Sequence, residues 1–459
     1  MKNKEIICGF SRLTKDEKLK YIADHFTDPE EFEREVRSYF HANPEKQKLF
    51  EEFSENTLTN YFIPYGIAPN FLIDGKVYHV PMVIEESSVV AAAAKSAKFW
   101  AGKGGFHTEI IATKKVGQVH FIWHGNASKL RNLMPDIRER LLERTKPITA
   151  NMRKRGGGIL DIELVDLTDQ MEGYYQLKTT FNTVDSMGAN FINSCLEEFA
   201  DELKDFFQTS PYFNGRERKV EVVMAILSNY TPECLVKSYV ECDVEELGEL
   251  DDVLSSKDFA DKFEKAVRIA QIDTFRATTH NKGIFNGIDA VAIATGNDFR
   301  AVEASGHAYA SRNGKYTSLT DVEIKNGRFR YTLIMPLSLG TVGGLTSLHP
   351  MAGKSLELLG NPDAEELMRI AASVGLSNNF GAIRSLITKG IQKGHMKMHL
   401  LNILNKFGAS EAEKEMAKVY FNELKVTFKS VQDFLTKLRD PAFLKQELFP
   451  INNEFSFKR

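Results

Sequence analysis

The stretch TTHNKGIFNGIDAVAIATGNDFRAVEASGHAYASR, residues 278–312, is the one long apolar segment of the chain that also carries polar residues at helical spacing. Apolar side chains surround residues 284–294 on almost every side, which predicts a helix buried in a core. Lys282, Asn286 and Asp289 recur at helical intervals, so they form one polar stripe along that helix. We expect the rest of the fold to pack around it.

Lys282 has the strongest chemical requirement in this stripe. A lysine in a core needs an anion beside it, because burial lowers the pKa of an unpaired ammonium group. Asp298, which follows the turn Thr295-Gly296-Asn297, is the obvious candidate for that anion. Asp298 can equally cap a helix that begins at Phe299. The two roles are compatible, and the sequence leaves both open.

The composition is that of an ordinary globular protein. The chain has 459 residues, of which 42% are hydrophobic and 26% charged, and its net charge of −3 provides no basic field for nucleic acid. No apolar run suits a signal peptide or a membrane span. The four cysteines are scattered without the spacing of a disulfide frame or a metal site. We therefore expect a cytoplasmic protein with no metal and no membrane or nucleic-acid partner.

The periodicity along the chain predicts an α+β fold that contains an insertion. Charged amphipathic helices are predicted over residues 15–25 and 31–52, followed by two strands around Asp74-Gly75 and a small-residue helix over residues 89–101. Strand and helix patterns then alternate between residues 108 and 222, which predicts a small α+β domain inserted into a large, mainly helical one. A second hairpin is predicted over Asn326-Gly327.

Two features of the insertion suit an anionic ligand. The turn at residues 185–190, DSMGAN, leads directly into a predicted helix, whose free N–H groups attract anions. A basic run ends in three glycines at residues 156–158 and comprises Arg138, Arg140, Arg144, Lys146, Arg153, Lys154 and Arg155. Such a run is more often a solvated surface. No G-x-G-x-x-G follows a strand, so a Rossmann dinucleotide fold is not supported.

Glu86 and His395 are two further candidates for proton transfer. Glu86 follows Glu85 at the start of the small-residue helix, where the helix dipole alone favours carboxylates. His395 follows a glycine near the C-terminus, which is typical of a group delivered by a closing flap. A surface histidine in a loop is the simpler interpretation of His395, and a helix-terminal carboxylate is the simpler one of Glu86.

Six motifs together resemble those of the 3-hydroxy-3-methylglutaryl-CoA reductase family, specifically its soluble bacterial class II branch. In chain order they are VPMVIEESSVVAAAAKSAK at 80–98, DSMGAN at 185–190, RATTHNKGIFNGID at 276–289, ATGNDFRAVEASGHAYASR at 294–312, GTVGGLTSLHP at 340–350 and GIQKGHMKMH at 390–399. The resemblance covers roughly residues 54–400. It implies reduction of 3-hydroxy-3-methylglutaryl-CoA to mevalonate and free coenzyme A by two equivalents of NADH or NADPH.

The resemblance also implies a domain plan. The large, mainly helical domain would comprise residues 1–112 and 223–389. A small α+β, ferredoxin-like domain at residues 113–222 would bind the dinucleotide without a Rossmann motif, and residues 390–459 would form a C-terminal helical flap. Active sites in this family lie at a dimer interface, so a homodimer or a higher even oligomer is expected.

The family's catalytic residues carry over to Glu86, Lys282, Asp298 and His395. The resemblance implies that Lys282 stabilises the negative charge on the carbonyl oxygen and that His395 protonates the departing thiolate. Glu86 would supply a proton to the alkoxide, and Asp298 would hold the lysine and the glutamate in one hydrogen-bonded network. The positions matching substrate contacts are Ser88, Asn229, Arg276 and Asn286, with Arg276 as the partner of the free carboxylate.

The positions matching the family's cofactor motif are Asp185, Met187, Gly188, Ala189 and Asn190. Where NADH-using relatives place an aspartate, counting back from residues 156–158 reaches Thr149, with Arg153, Lys154 and Arg155 nearby. Loss of a carboxylate next to several cations suits a 2′-phosphate, so NADPH is the preferred cofactor and NADH the alternative. Departures from the family pattern at Ser87, Ser186 and Lys389 remove no proton-transfer group.

Two other functions stay open at this stage. The same fold could oxidise mevalonate in the presence of coenzyme A, and the sequence cannot separate the two directions. The alternative that is not an enzyme is a homologue that binds acyl-CoA without catalysis. Loss of any of the four catalytic positions would favour it, and this sequence retains all four.

Overall fold

A computed structural model describes residues 6–250, 254–388, 400–421, 424 and 426–440. The chain divides into two units, Met1–Pro64 and Tyr65–Arg459. Every predicted site residue that the structure describes belongs to the second unit. The helices of the first unit are α1 (Lys15–Ala23), α2 (Pro29–Ser38) and α3 (Pro44–Glu51).

The helices of the first unit begin where the sequence supplies caps. Thr14 and Glu17 form a reciprocal capping box at the start of α1, and Asp28 and Asn43 cap α2 and α3, each followed by a proline. The amphipathic pattern over residues 31–52 is therefore two helices. The break follows from Asn43 and Pro44, which start a new helix because proline has no N–H to continue the old one.

The second unit contains three antiparallel sheets. A hairpin joins β1 (Tyr65–Ile73) to β2 (Lys76–Val83). The other strands are β3 (His107–Ile110), β4 (Lys115–Ile122), β5 (Gly158–Asp166), β6 (Tyr174–Asn182), β7 (Glu221–Leu227), β8 (Leu235–Asp243), β9 (Thr320–Lys325) and β10 (Arg328–Pro336). They form two four-stranded sheets with the orders β3-β8-β10-β9 and β5-β6-β4-β7.

Both hairpin predictions are confirmed. Asp74 and Gly75 connect β1 to β2, and Asn326 and Gly327 connect β9 to β10. All four residues have positive φ angles, between 48° and 85°. Tight two-residue hairpins require this backbone, which asparagine, aspartate and glycine adopt most readily.

The helices of the second unit are α4 (Ser87–Ala101), α5 (Ala127–Arg144), α6 (Lys146–Lys154), α7 (Ala189–Thr209), α8 (Ser256–Ile272), α9 (Thr274–Ala294), α10 (Phe299–Ala310), α11 (Leu345–Leu348), α12 (Pro350–Leu358) and α13 (Ala364–Ile387), followed by Glu411–Tyr420 and Phe428–Arg439. In the described part of the chain, no helix combines the length and the apolar character needed to cross a bilayer.

The predicted central helix is α9, and glycines set how closely it packs. A Cβ atom on Gly287 would lie 2.8 Å from the backbone oxygen of Val374 in α13, and one on Gly375 would lie 2.8 Å from the side chain of Ile288. The two helices therefore touch through their backbones. Helix α4 packs on α13 as well, where the Ser377 hydroxyl donates to the carbonyl of Ala93 at 3.0 Å.

The sheet β5-β6-β4-β7 has a core of its own, in which aromatic side chains from β4, α7 and the following loop pack together, among them Phe121, Trp123, Phe207 and Phe213. A second core surrounds α9, α13 and the sheet β3-β8-β10-β9. A third, smaller one lies between residues 400 and 438. This mixture of helical and sheet layers confirms the predicted α+β class.

Candidate active site

A cleft of about 770 Å³ lies between the start of α7 and the turn that joins α9 to α10. Met187, Gly188 and Asn190 line it on one side, and Asp298 and Gly340 line it on the other. Its volume falls within the usual range of small-molecule sites. This α7 cleft therefore brings the predicted anion-binding turn and the predicted catalytic aspartate into one space.

The turn before α7 depends on two glycines. Gly188 has a φ angle of 91°, and a Cβ atom there would lie 2.4 Å from the side chain of Thr183. A Cβ on Gly340 would lie 2.4 Å from the backbone nitrogen of Met187. No described side chain caps α7, so its first N–H groups are available to an anion in the cleft.

Asn297 joins the two walls of the cleft. Its side-chain amide donates to the carbonyl of Gly340 at 3.0 Å and accepts from the N–H of Gly340 at 2.8 Å. The loop that follows Gly340 pairs in turn with the anion-binding turn, because the N–H of Thr341 donates to the carbonyl of Asp185 at 2.8 Å. These bonds fix the spacing between the turn at residues 185–190 and Asp298.

Asp298 is both a helix cap and a cleft residue. Its carboxylate accepts from the N–H groups of Arg300 and Ala301 at 3.1 and 3.2 Å, and it pairs with the Arg300 guanidinium at 3.0 Å. Burial acts to raise the pKa of Asp298, but the hydrogen bonds from Arg300 and Ala301 outweigh it and hold that pKa below its usual range. Asp298 is therefore an anion at neutral pH.

Lys282 pairs with Glu86 and not with Asp298. The Lys282 ammonium nitrogen lies 3.1 Å from Glu86 Oε2, and the Ser88 hydroxyl donates to the other oxygen of Glu86 at 3.2 Å. The lysine side chain is 61% exposed in the single chain, which corrects the prediction that it is buried. Helix α9 is buried on most sides, but the face that carries Lys282 is exposed to solvent in the single chain.

Helix α9 separates Lys282 from the α7 cleft. Lys282 lies three turns before the end of α9 at Ala294, which corresponds to about 18 Å along the helix axis. Ile293, at that end, lines the cleft together with Asp298. Within one chain, the Glu86–Lys282 pair therefore lies beside the middle of α9, whereas Asp298 lies just beyond its C-terminal end.

Residues 14–400 match the family model described as hydroxymethylglutaryl-coenzyme A reductase. The chain belongs to this family. It is 35% identical to the 3-hydroxy-3-methylglutaryl-coenzyme A reductase of Archaeoglobus fulgidus, with 94% of both chains covered. It is 31% identical to the probable 3-hydroxy-3-methylglutaryl-coenzyme A reductase of Borreliella burgdorferi, over 95% of this chain and 98% of the relative.

Solved structures of the reductase family agree with this assignment. The 3-hydroxy-3-methylglutaryl-coenzyme A reductase of Streptococcus pneumoniae superposes with a TM-score of 0.69 at 32% identity, over 94% of this chain and 99% of its own. A class II structure of the same organism's reductase, bound to NADPH in open conformations, superposes with a TM-score of 0.67 over 83% of this chain. The present chain is thus a class II member of the reductase family.

The predicted substrate residues are distributed along α9 and near Glu86. Arg276 is half-buried in the first turn of α9, where burial lowers its pKa, and none of the described carboxylates forms an ion pair with it. Asn286 follows Lys282 on the polar face. Ser88 contacts Glu86, whereas Asn229 lies beside Met187 next to the α7 cleft. The predicted substrate residues therefore do not lie together at one place along α9.

The predicted cofactor residues on α6 need a correction. Thr149 is 3% exposed and its hydroxyl donates to the backbone carbonyl of Thr145 at 2.9 Å, so it does not face the α7 cleft. Arg153 donates back to the carbonyl of Lys146 at 3.3 Å. The face of α6 that lines the cleft consists of Ile148, Asn151, Met152 and Arg155. Counting back from Gly156 therefore reached the helix that lines the cleft, α6, but selected residues on a face that does not line it.

Most of the basic run is a solvated surface. Arg138 pairs with Asp161, Arg140 and Arg144 pair with Glu202, and all of these arginine side chains are at least one-third exposed. Arg155 is the member of the run that lines the cleft. His395, the predicted flap histidine of the reductase, lies outside the described residues.

The sequence did not single out Asn297 or Lys115, and it named Arg155 only together with Arg153 and Lys154 as cations near Thr149. Asn297 stands inside a quoted motif, and its bonds to Gly340 span 43 positions of sequence. Arg155 was one cation among seven. Lys115 begins β4 and is 5% exposed. A lysine at the start of a strand-like run was its only signal, and that is a weak one.

Proposed function

We propose that this chain reduces 3-hydroxy-3-methylglutaryl-CoA to mevalonate and free coenzyme A, with NADPH as the electron donor. The observation that carries this proposal is the α7 cleft, where a glycine-dependent anion site and Asp298 face each other in a chain of the reductase family. A cytoplasmic location and the domain boundaries at residues 113, 223 and 390 stay predictions.

The chemistry at the substrate belongs to Lys282 and Glu86. Hydride addition to a thioester carbonyl places negative charge on its oxygen, and a cation aimed at that oxygen stabilises the transition state more than the ground state. The Lys282 ammonium group supplies this cation, and Glu86, 3.1 Å away, is placed to deliver the proton that the alkoxide takes up. Arg276 would bind the free carboxylate of the substrate.

The cleft residues hold the cofactor. The N–H groups at the start of α7 would bind the diphosphate, and Arg155 would bind the 2′-phosphate that distinguishes NADPH from NADH. Each of two NADPH molecules bound there in succession would supply one hydride of the reaction. Asp298 orients the polar groups beside it, and His395 would protonate the coenzyme A thiolate.

We also propose a homodimer in which each active site combines two chains. In one chain the Glu86–Lys282 pair lies beside the middle of α9 and Asp298 lies beyond its C-terminal end, about three helical turns away, so a site that needs all three takes them from two chains. Phe275 supports this proposal, because it is 88% exposed two helical turns before Lys282 on the same face of α9. A second copy would cover this face and desolvate the lysine.

The direct test is an assay of NADPH oxidation on addition of 3-hydroxy-3-methylglutaryl-CoA, with thiol release measured in parallel. We expect two equivalents of NADPH consumed for each equivalent of free coenzyme A. NADPH consumption with acetyl-CoA, which lacks the free carboxylate, serves as the control and is expected to be negligible. Binding of both ligands without turnover would contradict the proposal and favour a non-catalytic homologue.

A further inference from the structure

Lys115, the first residue of β4, is a buried lysine that the chemistry above does not use. Its ammonium nitrogen lies 2.6 Å from Thr183 Oγ1 and 2.7 Å from the backbone oxygen of Ser186. Both of these oxygens are neutral. Burial of an ammonium group bonded to neutral partners is costly, so a lysine at this position requires a reason.

The turn that Lys115 contacts is strained. Val184 has a φ angle of 51°, which is a genuine outlier for a β-branched residue. Such residues persist where the surroundings fix them, and they are common at ligand clamps. The Thr183 hydroxyl donates to the same Ser186 oxygen at 2.6 Å, and the N–H of Val184 donates to Asn182 Oδ1 at 2.9 Å. Lys115 thus completes the network that holds this turn.

The ammonium group lies directly behind the residues that face the α7 cleft. A small cavity behind the turn is lined by Lys115, Met187 and Ala189, and the same Met187 and Ala189 line the cleft on their other side. In an interior of low dielectric constant, a charge at this short range is only weakly screened. It therefore acts on an anion bound at the start of α7.

We propose that Lys115 is a positioning residue for the dinucleotide diphosphate, holding the turn at residues 183–188 in its binding shape and placing a positive charge behind it. This inference rests on the proposed function, because it assumes that the α7 cleft binds a dinucleotide. It concerns the diphosphate, which NADH and NADPH share, and it is separate from the role of Arg155 at the 2′-phosphate.

The pKa values of Lys115 and its neighbour Cys234 are shifted in opposite directions. Burial lowers the pKa of Lys115, against the opposing effects of Cys234 and Asp185. The pocket on this side of the turn also contains Arg155, Asp363 and Glu365. Burial raises the pKa of the Cys234 thiol to about 11. On an alkaline titration Lys115 is therefore expected to lose its charge before Cys234 ionises.

The first test compares dinucleotide binding by wild type, Lys115→Met, Lys115→Arg and Lys114→Met. Lys114 is the matched control, because it is half-exposed and pairs with Glu233 at the surface. We expect Lys115→Met to raise the Kd of NADH and NADPH alike by about ten-fold, because it removes the buried charge behind the turn and the hydrogen bonds that hold the turn in shape. Lys115→Arg should recover part of the affinity. Lys114→Met, and the Kd of 3-hydroxy-3-methylglutaryl-CoA in every variant, should stay at wild-type values.

The second test is the pH profile of NADH binding, since NADH has no 2′-phosphate to titrate. Wild type and Lys114→Met should bind NADH more weakly as the pH is raised into the alkaline range, because burial lowers the pKa of Lys115 and the lysine loses its proton. Lys115→Met should show no such trend. A flat wild-type profile, or equal affinity in Lys115→Met, would overturn the inference. The wild-type profile decides it even if Lys115→Met does not fold, and absence of dinucleotide binding by wild type would instead contradict the proposed function.

Discussion

The Lys282 ammonium group and the Glu86 carboxylate form an ion pair on an open face of the molecule. Their side chains are 61% and 35% exposed in the single chain. Ion pairs this exposed contribute little to the free energy of folding, because water competes for both partners. Fold stability therefore does not account for the pairing, which is consistent with the proposed role of both groups at the substrate.

Replacement of Lys282 by methionine tests this at the scale of one residue. We expect Lys282→Met to lower kcat by about a hundred-fold or more, because it removes the cation at the developing oxyanion. Reduction of mevaldehyde should fall with reduction of the thioester, since both steps build the same charge. Steady-state rates with each substrate give the measurement, and Lys325→Met, at an exposed position at the end of β9, is the control. A thioester-specific loss would contradict the oxyanion role.

Arg155 and Arg153 form a natural pair for a test of cofactor choice. Arg155 lines the α7 cleft, whereas Arg153 folds back onto its own helix. We expect Arg155→Gln to raise the KM for NADPH by about ten-fold through loss of a charge-assisted contact to the 2′-phosphate, with little change for NADH. Arg153→Gln should change neither KM. If Arg153→Gln raised the KM for NADPH and Arg155→Gln did not, Arg153 would be the cofactor residue, as predicted from the sequence.

At the scale of elements, the anion-binding turn was predictable and the face of α6 was not. The DSMGAN sequence joins a strand to a helix, and both the free N–H groups and the need for Gly188 follow from local geometry. Which side of α6 meets the cleft depends on how the helix packs against distant residues. A count along the sequence cannot supply that, so Thr149 was placed in the site and Arg155 was not distinguished from Arg153 and Lys154.

Gly188→Ala tests the backbone of this turn. The variant should lose about 1 to 3 kcal/mol of stability from its left-handed backbone, and the contact with Thr183 should distort the start of α7 and weaken NADPH binding. Gly314→Ala is the matched control, because Gly314 has a φ angle of 83° but nothing within 4 Å of an added Cβ. It should share the loss of stability and leave NADPH affinity unchanged. Thermal unfolding and nucleotide titration measure the two effects.

At the scale of the molecule, the order of the helices and strands could be predicted from the sequence. Whether one chain brings Lys282 and Asp298 together could not. The hairpins, the central helix and the inserted sheet follow from periodicity and turn residues. The separation of Lys282 from Asp298 required the length and direction of α9. The sequence makes the two residues look like neighbours because only 15 positions lie between their numbers, whereas a straight helix carries them apart.

Mixing two inactive variants tests whether the site is shared between chains. Lys282→Met and Asp298→Asn should each be nearly inactive alone. After exchange of subunits, half of the dimers should be hybrids with one intact site, so about a quarter of the wild-type activity should return. Activity of the mixture and its mass by light scattering are the measurements. If a dimer forms but no activity returns, each chain carries its own complete site.

The backbone contact between α9 and α13 has a consequence for how this protein can vary. Gly287 and Gly375 leave no room for a methyl group, and α4, which begins beside Glu86, rests on the same helix α13. The packing of α4 and α9 on α13 therefore determines the distance between the Glu86 carboxylate and the Lys282 ammonium group. A larger residue at Gly287 or Gly375 would push α9 away from α13. It would thereby change the distance over which a proton passes between Glu86 and the substrate.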